Sequence, residues 1–187
     1  VNIPEIAGKV VVCPDVSGSM QSAVTGNRGS ASSKIRCIGQ AALIAAAVLR
    51  KNRDAMLIPF EVDVVDCRIN PRDTVMTNAQ KLASIGGGGT NCSAPLAQMN
   101  KAKTNADLVI YVSDNESWID ATSRGATATL REWEIFKQRN PTAKLVCINV
   151  TPSKTSQVVE REDILNIGGF SDDVFKIIAA FAADQLN

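Results

Sequence analysis

The sequence predicts an α/β domain with a doubly wound, mostly parallel sheet, helices on both faces and one short antiparallel edge strand. Short apolar runs rich in β-branched residues alternate along the chain with longer amphipathic segments. Two of these runs end in acidic residues, Asp15 and Asp114, that loops follow directly. Such an alternation is typical of parallel sheets whose strands are joined by crossover helices.

The strands are predicted from short apolar runs. Residues 9–14 are too short for a helix and apolar after Lys9, so we expect a strand buried on both faces of the sheet. Residues 62–69 are more polar and alternate, which favours the edge strand, joined to its neighbour by a hairpin. Further strands are predicted over 55–61, 107–113, 144–150 and 164–169.

The helices are predicted from apolar residues at helical spacing. Residues 34–52 are apolar around most of the helical surface, so this helix should pack closely on the sheet. Thr77 or Asn78 is expected to cap the next helix, and Ser171 the last one. The remaining predicted helices span 77–85, Pro95 to about 103, 127–140 and the segment after 171.

Three segments are predicted without regular structure. Residues 1–8 look like an incoming linker, and residues 151–163 are polar and irregular. Residues 20–33 are rich in Ser, Gly and Asn, and we expect them to form a long exposed loop. That loop is either a lid or recognition element beside a site, or simple surface variation.

Composition excludes several classes of function. The 187 residues carry a net charge of +1, and no apolar run is long enough to span a bilayer, so we expect neither a membrane nor a DNA partner. The chain has no histidine, which removes Ser-His-Asp and Cys-His nucleophiles and histidine-ligated zinc hydrolases. Its five cysteines include no Cys-x-x-Cys pair, which favours a reducing cytoplasm over a disulfide framework. Cys92 is expected to be a packing residue rather than a reactive thiol.

Oxygen-bearing side chains follow three predicted strands or loops. Asp15, Ser17 and Ser19 come after the first strand, Thr90 ends the glycine run 86–89, and Asp114 follows the strand 107–113. In open parallel sheets, ligands bind at the carboxyl ends of the strands. Hard oxygen ligands suit Mg²⁺ or Mn²⁺ rather than zinc. Acids and serines after strands are also common turn and N-cap residues, so the residue types alone leave both interpretations open.

This five-residue set, in this order, resembles the metal-ion-dependent adhesion site of von Willebrand factor A domains. Further stretches resemble the C-terminal A domain of the Ro autoantigen family, the TROVE-module RNA-binding proteins. The stretches that carry this second resemblance are Gly-Gly-Thr-Asn-Cys-Ser-Ala-Pro (88–95), Ser-Asp-Asn-Glu-Ser-Trp (113–118), Leu-Arg-Glu-Trp (130–133), Ala-Lys-Leu-Val-Cys (143–147) and Asp-Ile-Leu-Asn-Ile-Gly-Gly-Phe-Ser (163–171).

The resemblance implies that residues 1–187 form one A domain with a linker at 1–8, the C-terminal part of a larger Ro-like protein. Family members join this domain to a ring of helical repeats that binds noncoding Y RNAs outside and misfolded RNA ends in its hole. Those repeats are absent from this chain. By resemblance, the three hydroxyls would touch the cation directly, and the two acids would act through water or by orienting hydroxyls. Asn91 departs from the family's better-known members, which have Asp there.

The expected function is therefore that of a Mg²⁺- or Mn²⁺-dependent binding module, and not of an enzyme. An acidic group of a protein partner or an RNA phosphate would occupy the exchangeable metal position, with Asn91, Glu116 and Arg28 as possible ligand contacts. By resemblance, noncoding RNA would bind through the parent protein. We expect weak, salt-sensitive RNA affinity at most from this domain alone, because its basic residues lack interleaved aromatic residues. One alternative is an intracellular protein-assembly module that uses the same metal. The other is a Mg²⁺-dependent phosphohydrolase, disfavoured because Ser17 stands where such enzymes have a second carboxylate.

Overall fold

The structure is a computed structural model, and it describes residues 4–24, 36–114, 124–151 and 157–184. The side chains of 124–127 and 157–160 lie outside this description.

Within the described ranges the chain forms one six-stranded sheet with the order β2-β1-β3-β4-β6-β5. Every neighbouring pair from β2 to β6 is parallel, and β5 alone is antiparallel to its neighbour β6. The strands are β1 (Val10–Pro14), β2 (Met56–Leu57), β3 (Leu108–Ser113), β4 (Lys144–Asn149), β5 (Gln157–Arg161) and β6 (Ile164–Gly168). The parallel α/β architecture is as the sequence predicts.

Helices cover both faces of this sheet. Alternate residues of β1 pack into two separate apolar clusters, with Val10 and Val12 in one cluster and Val11 and Cys13 in the other. The first cluster contains residues of α1, α2 and α5, and the second contains residues of α3 and α4. The helices are α1 (Cys37–Lys51), α2 (Val75–Ile85), α3 (Ala94–Lys101), α4 (Arg124–Arg139) and α5 (Val174–Ala182), together with a 3-10 turn over Gly18–Gln21.

The edge strand predicted over 62–69 is wrong. This segment turns back on itself, with one isolated antiparallel bridge between Phe60 and Val64. The amide of Glu61 donates to the carbonyl of Asp63 at 2.9 Å, and the amide of Val64 donates to Oδ1 of Asp63 at 2.7 Å. Such local bonds compete with the regular hydrogen bonding of a strand, which explains the loop.

The prediction of irregular structure over 151–163 is wrong for its second half. Residues 157–161 form β5, which pairs with β6 and has a register shift between Val159 and Arg161. The sequence does not predict this strand, because the strand is short, largely polar and interrupted by the register shift.

Two predicted caps are also wrong. Thr74 caps α2, because its Oγ1 accepts the amide of Thr77 at 3.1 Å, and the helix begins earlier than expected. Ser171 offers only its backbone carbonyl, to the amide of Val174 at 3.1 Å, while Asp173 occupies the N-cap position of α5. A hydroxyl near a predicted helix start therefore does not by itself locate the cap.

Candidate metal centre

The register of two central strands places Asp15 beside Ser113. Because Pro14 pairs with Val112 across β1 and β3, the next residues of the two strands, Asp15 and Ser113, come together. The amide of Asp15 donates to the carbonyl of Val112 at 2.8 Å, and Oγ of Ser113 donates to Oδ2 of Asp15 at 2.6 Å. Ser113 was not among the expected site residues, and only the strand register could have identified it.

Asp15 is fully buried at the carboxyl end of β1. Its second oxygen, Oδ1, accepts the amide of Ser17 at 2.8 Å. Burial raises the pKa of this carboxyl above its ordinary value, the charge of Asp114 raises it further, and the bonds from Ser113 and Ser17 oppose the rise. A carboxylate in such surroundings favours a nearby cation, which would offset both desolvation and repulsion.

Hydroxyl groups connect this buried carboxylate with a second one near the surface. Oγ of Ser17 lies 3.3 Å from Oγ of Ser19, and Oγ of Ser19 donates to Oδ1 of Asp114 at 3.0 Å. Ser17 is buried, Asp114 is half-buried and Ser19 is exposed, so the chain of oxygens leads from the sheet to solvent. The structure thus brings together four of the five predicted metal residues.

The local fold that positions the two serines is a single 3-10 turn. The amide of Met20 donates to the carbonyl of Ser17 at 3.1 Å, and the side chain of Met20 is fully buried in the apolar cluster under α1. Met20 therefore anchors the turn, while Ser17 and Ser19 stay at the sheet edge.

The glycine run packs directly on this turn. The amide of Gly18 donates to the carbonyl of Gly88 at 2.9 Å, and the amide of Gly87 donates to the carbonyl of Val16 at 3.0 Å. A Cβ on Gly86 would lie 1.8 Å from the carbonyl oxygen of Val16, so only glycine fits there. This packing brings the loop that carries Thr90 to the same edge of the sheet.

Thr90 itself is exposed, two residues beyond the contact at Gly88. Among the described residues, no hydrogen bond joins Thr90 to Asp15, Ser17, Ser19 or Asp114. The structure therefore places Thr90 in the adjoining loop without bringing it into the hydrogen-bonded group.

The predicted ligand contacts have different outcomes. Asn91 uses its side chain locally: Oδ1 accepts the amide of Ser93 at 3.2 Å and its hydroxyl at 2.7 Å, and Nδ2 donates to the carbonyl of Val62 at 3.3 Å. Asn91 thus shapes the turn that leads into α3. Glu116 and Arg28 lie outside the described residues.

Glu61 is a further residue of this edge, and it is not among the site residues expected from the sequence. Its Oε2 accepts the amide of Gly88 at 2.6 Å, and its carbonyl accepts the amide of Asn91 at 2.7 Å. Its position could have been expected from the sequence, because Glu61 follows the strand that pairs with β1. The carboxyl ends of these two strands share one edge of the sheet.

Cys92 lies behind this loop and is buried, and burial raises the pKa of its thiol to about 12. Its carbonyl accepts the hydroxyl of Tyr111 at 2.7 Å. A thiol with so high a pKa is a poor nucleophile near neutral pH, which agrees with the predicted packing role.

The donor set fits a hard divalent cation. The grouped side chains offer carboxylate and hydroxyl oxygens, which Mg²⁺ and Mn²⁺ prefer. Within the described ranges, no group of three or more Asp, Glu or Cys side chains could hold a metal ion. A cation at this edge would therefore depend on the hydroxyls of Ser17, Ser19 and Thr90 together with the two acids.

Comparison with protein-family models shows to which family this chain belongs. The family model described as the Ro60 vWA domain matches residues 9–182. The chain belongs to the Ro60 vWA domain family. It is 29% identical over 147 residues to the RNA-binding protein RO60 of Deinococcus radiodurans. The aligned region covers 78% of this chain and 27% of that protein. The chain thus spans about a quarter of the length of this curated relative.

A solved structure shows the same fold. The crystal structure of the Deinococcus radiodurans RO (RSR) protein superposes with a TM-score of 0.74 and 24% identity, over 99% of this chain and 36% of that one. The likeness shows that the two chains share their fold. Within the described ranges of this family member, each helix is too short or too polar to span a lipid bilayer.

Proposed function

We propose that this Ro60 vWA domain is a divalent-cation-dependent binding module of a Ro-type RNA-binding protein. Mg²⁺ or Mn²⁺ would bind through Asp15, Ser17, Ser19, Thr90 and Asp114. The observation that carries the proposal is the hydrogen-bonded path from Asp114 through Ser19 to Ser17, beside the buried carboxylate of Asp15. Two acids and several hydroxyls are thereby held at the carboxyl edge of a parallel sheet, where ligands of such sheets bind.

The charges of this arrangement favour an exchangeable outer ligand. Two carboxylates balance the charge of a divalent cation, and neutral hydroxyls leave that cation electrophilic. Mg²⁺ usually keeps several waters in protein sites, so an outside oxygen can replace one of them. Ser19 and Thr90 are exposed, so the open side of the proposed site would face solvent.

The same residues support binding rather than hydrolysis. A phosphohydrolase built on Asp15 would use a second carboxylate two residues later as its acid, and Ser17 occupies that place. Burial raises the pKa of Cys92, the thiol nearest the loop in sequence, to about 12. We infer that the site holds its ligand without covalent chemistry.

The ligand that this site would take is an anionic oxygen, from an acidic protein side chain or from an RNA phosphate. Arg36 lies just before α1, and its Nη1 donates to Oε1 of Gln21, in the 3-10 turn that carries Ser19, at 3.2 Å. Arg50, Lys51 and Arg53 lie at the other end of α1, roughly 20 Å away for a helix of this length. Because these cations form no continuous patch, RNA affinity of the domain alone should be weak and salt-sensitive.

The state of the thiols supports a proposal for the cellular compartment. All five cysteines are free, and four of them are buried. We propose a reducing cytoplasm as the compartment in which the domain works.

Calorimetric titration with Mn²⁺ tests the proposal. We expect the chain to bind one Mn²⁺, Asp15→Ala to lose binding, and the control Asp172→Asn, an exposed acid far along the chain, to retain it. The absence of binding by the unmodified chain would overturn the proposal.

The metal-loaded chain can then be titrated with an acidic peptide and with a short single-stranded RNA. A complex with either that EDTA dissolves supports an anionic ligand at the metal and identifies its source. A complex that EDTA leaves intact would contradict the role of the metal.

A further inference from the structure

Glu61 contacts the glycine loop at two points that enclose Thr90. Its carboxylate accepts the amide of Gly88 at 2.6 Å, and its backbone carbonyl accepts the amide of Asn91 at 2.7 Å. Only Gly89 and Thr90 lie between these two amides. A single residue from a neighbouring strand end thus holds both sides of the segment that carries the predicted ligand.

The peptide groups of Gly88 continue this connection to the serines. While the amide of Gly88 binds Glu61, its carbonyl accepts the amide of Gly18, which lies between Ser17 and Ser19. Gly88 therefore links the carboxylate of Glu61 to the turn that presents the hydroxyls of Ser17 and Ser19.

A run of four glycines needs such a restraint. Glycine loses more conformational freedom on ordering than any other residue, and Gly87 has a φ of 117°, which other residues rarely adopt. An unrestrained loop would have to be ordered when the cation binds, at the expense of affinity. The absence of a side chain at Gly88 also makes the contact possible, since a Cβ there would lie 2.7 Å from Oε2 of Glu61.

We infer that Glu61 is a positioning residue of the metal centre, whose carboxylate holds the glycine loop with Thr90 against the Ser17–Ser19 turn. This inference rests on the proposed cation site. Glu61 acts through the Gly88 amide and is not itself a ligand. What matters is therefore the reach and the acceptor oxygen of its side chain, and not its negative charge.

Two matched substitutions separate reach from charge. Glu61→Gln keeps the length and an acceptor oxygen but removes the charge, whereas Glu61→Asp keeps the charge but is one methylene too short. We expect the Kd for Mn²⁺, measured by calorimetry, to rise about tenfold in Glu61→Asp, as loss of one hydrogen bond implies, and to stay within about threefold in Glu61→Gln. The reverse order, or equal Kd values in the unmodified chain and Glu61→Asp, would overturn the inference.

A substitution on the other side of the contact provides a second test. Gly88→Ala forces the Glu61 carboxylate away, so it should weaken Mn²⁺ binding as Glu61→Asp does. The double variant should be little worse than either single one, because both remove the same interaction. Fully additive losses would show that the two residues act separately.

A metal-free readout distinguishes this inference from the proposed function. In an amide proton–nitrogen NMR spectrum, the short bond predicts a downfield Gly88 amide that moves upfield in Glu61→Asp and much less in Glu61→Gln. An unchanged Gly88 signal in Glu61→Asp would overturn the inference. If the Gly88 signal behaves as expected and the unmodified chain binds no Mn²⁺, the proposed function fails, and the assignment of Glu61 to a metal centre fails with it.

Discussion

Oγ of Ser113 donates a 2.6 Å hydrogen bond to Oδ2 of Asp15, across two neighbouring parallel strands. Both residues are fully buried, so this bond is shielded from water. It holds the Asp15 carboxylate in one orientation, with Oδ1 accepting the amide of Ser17. The central acid of the proposed site is thereby fixed by the sheet itself.

Removal of this hydroxyl should destabilise the domain. Ser113→Ala leaves Oδ2 of Asp15 without its buried donor, and we expect the free energy of unfolding to fall by about 1–3 kcal/mol. Urea denaturation measures the change. Ser84→Ala removes an exposed hydroxyl that bonds only to the carbonyl of Lys81 in its own helix, and this control should shift stability by less than about 0.5 kcal/mol. Equal stability of the two variants would contradict a structural role for the Ser113 hydroxyl.

Two glycines should respond in opposite directions to the same substitution. Gly86→Ala would place Cβ 1.8 Å from the carbonyl oxygen of Val16, so backbone must shift and stability should fall by about 2 kcal/mol or more. Gly39 lies in α1 with open space around its Cβ position, and Gly39→Ala should stabilise by roughly 0.5–1 kcal/mol through helix propensity. Thermal unfolding of both variants checks the pair, and a tolerated Gly86→Ala would show that the loop packs differently.

Asp163 should give the domain an acid-sensitive component of stability. Burial alone would raise its pKa, but the bonds from Arg161 and from Nε1 of Trp133, together with the charges of Arg161 and Lys137, hold the pKa below the ordinary 3.8. The unfolded chain then takes up this proton first as pH falls. The contribution is complete above about pH 4 and is lost as pH falls through the lower folded pKa.

Thermal unfolding from neutral pH to about pH 3 measures this component. Asp163→Asn should be less stable at neutral pH, by about 1–3 kcal/mol, because bonds to a charged group are weakened. The difference from the unmodified chain should shrink in acid. A difference that stays constant with pH would show that the charge of Asp163 contributes nothing.

Metal should raise the melting temperature. Binding to the folded state alone stabilises it by about 2.7 kcal/mol at a hundredfold excess over Kd, which is roughly 5–10 °C for a domain of this size. Melting in Mg²⁺ or Mn²⁺ is compared with melting in EDTA, and Asp15→Ala should lose the increase. The same increase in Asp15→Ala would place the cation elsewhere.

The sequence predicts the sheet and its site for identifiable reasons. Apolar runs such as Val10–Pro14 and Leu108–Ser113 are buried on both faces, which makes them recognisable as central parallel strands. Because the carboxyl ends of such strands share one edge, Asp15 and Asp114 could be expected to lie close together, and Ser19 connects them.

What the sequence does not predict depends on local hydrogen bonds and on register. The turn at Asp63 replaces the edge strand expected over 62–69 through bonds within the segment. Ser113 and Glu61 become parts of the site edge only through the pairing of β1 with β3 and the path of the glycine loop. Neither feature leaves a periodic pattern in the sequence.

Paramagnetic broadening of amide NMR signals by substoichiometric Mn²⁺ tests most directly whether a cation binds at this edge of the sheet. If a cation binds beside Asp15, the amides of Ser17, Ser19, Thr90 and Asp114 should broaden first, and Asp15→Ala should abolish this selectivity. First broadening at an exposed acid of the opposite edge, such as Asp54, would contradict a metal centre at this edge of the sheet.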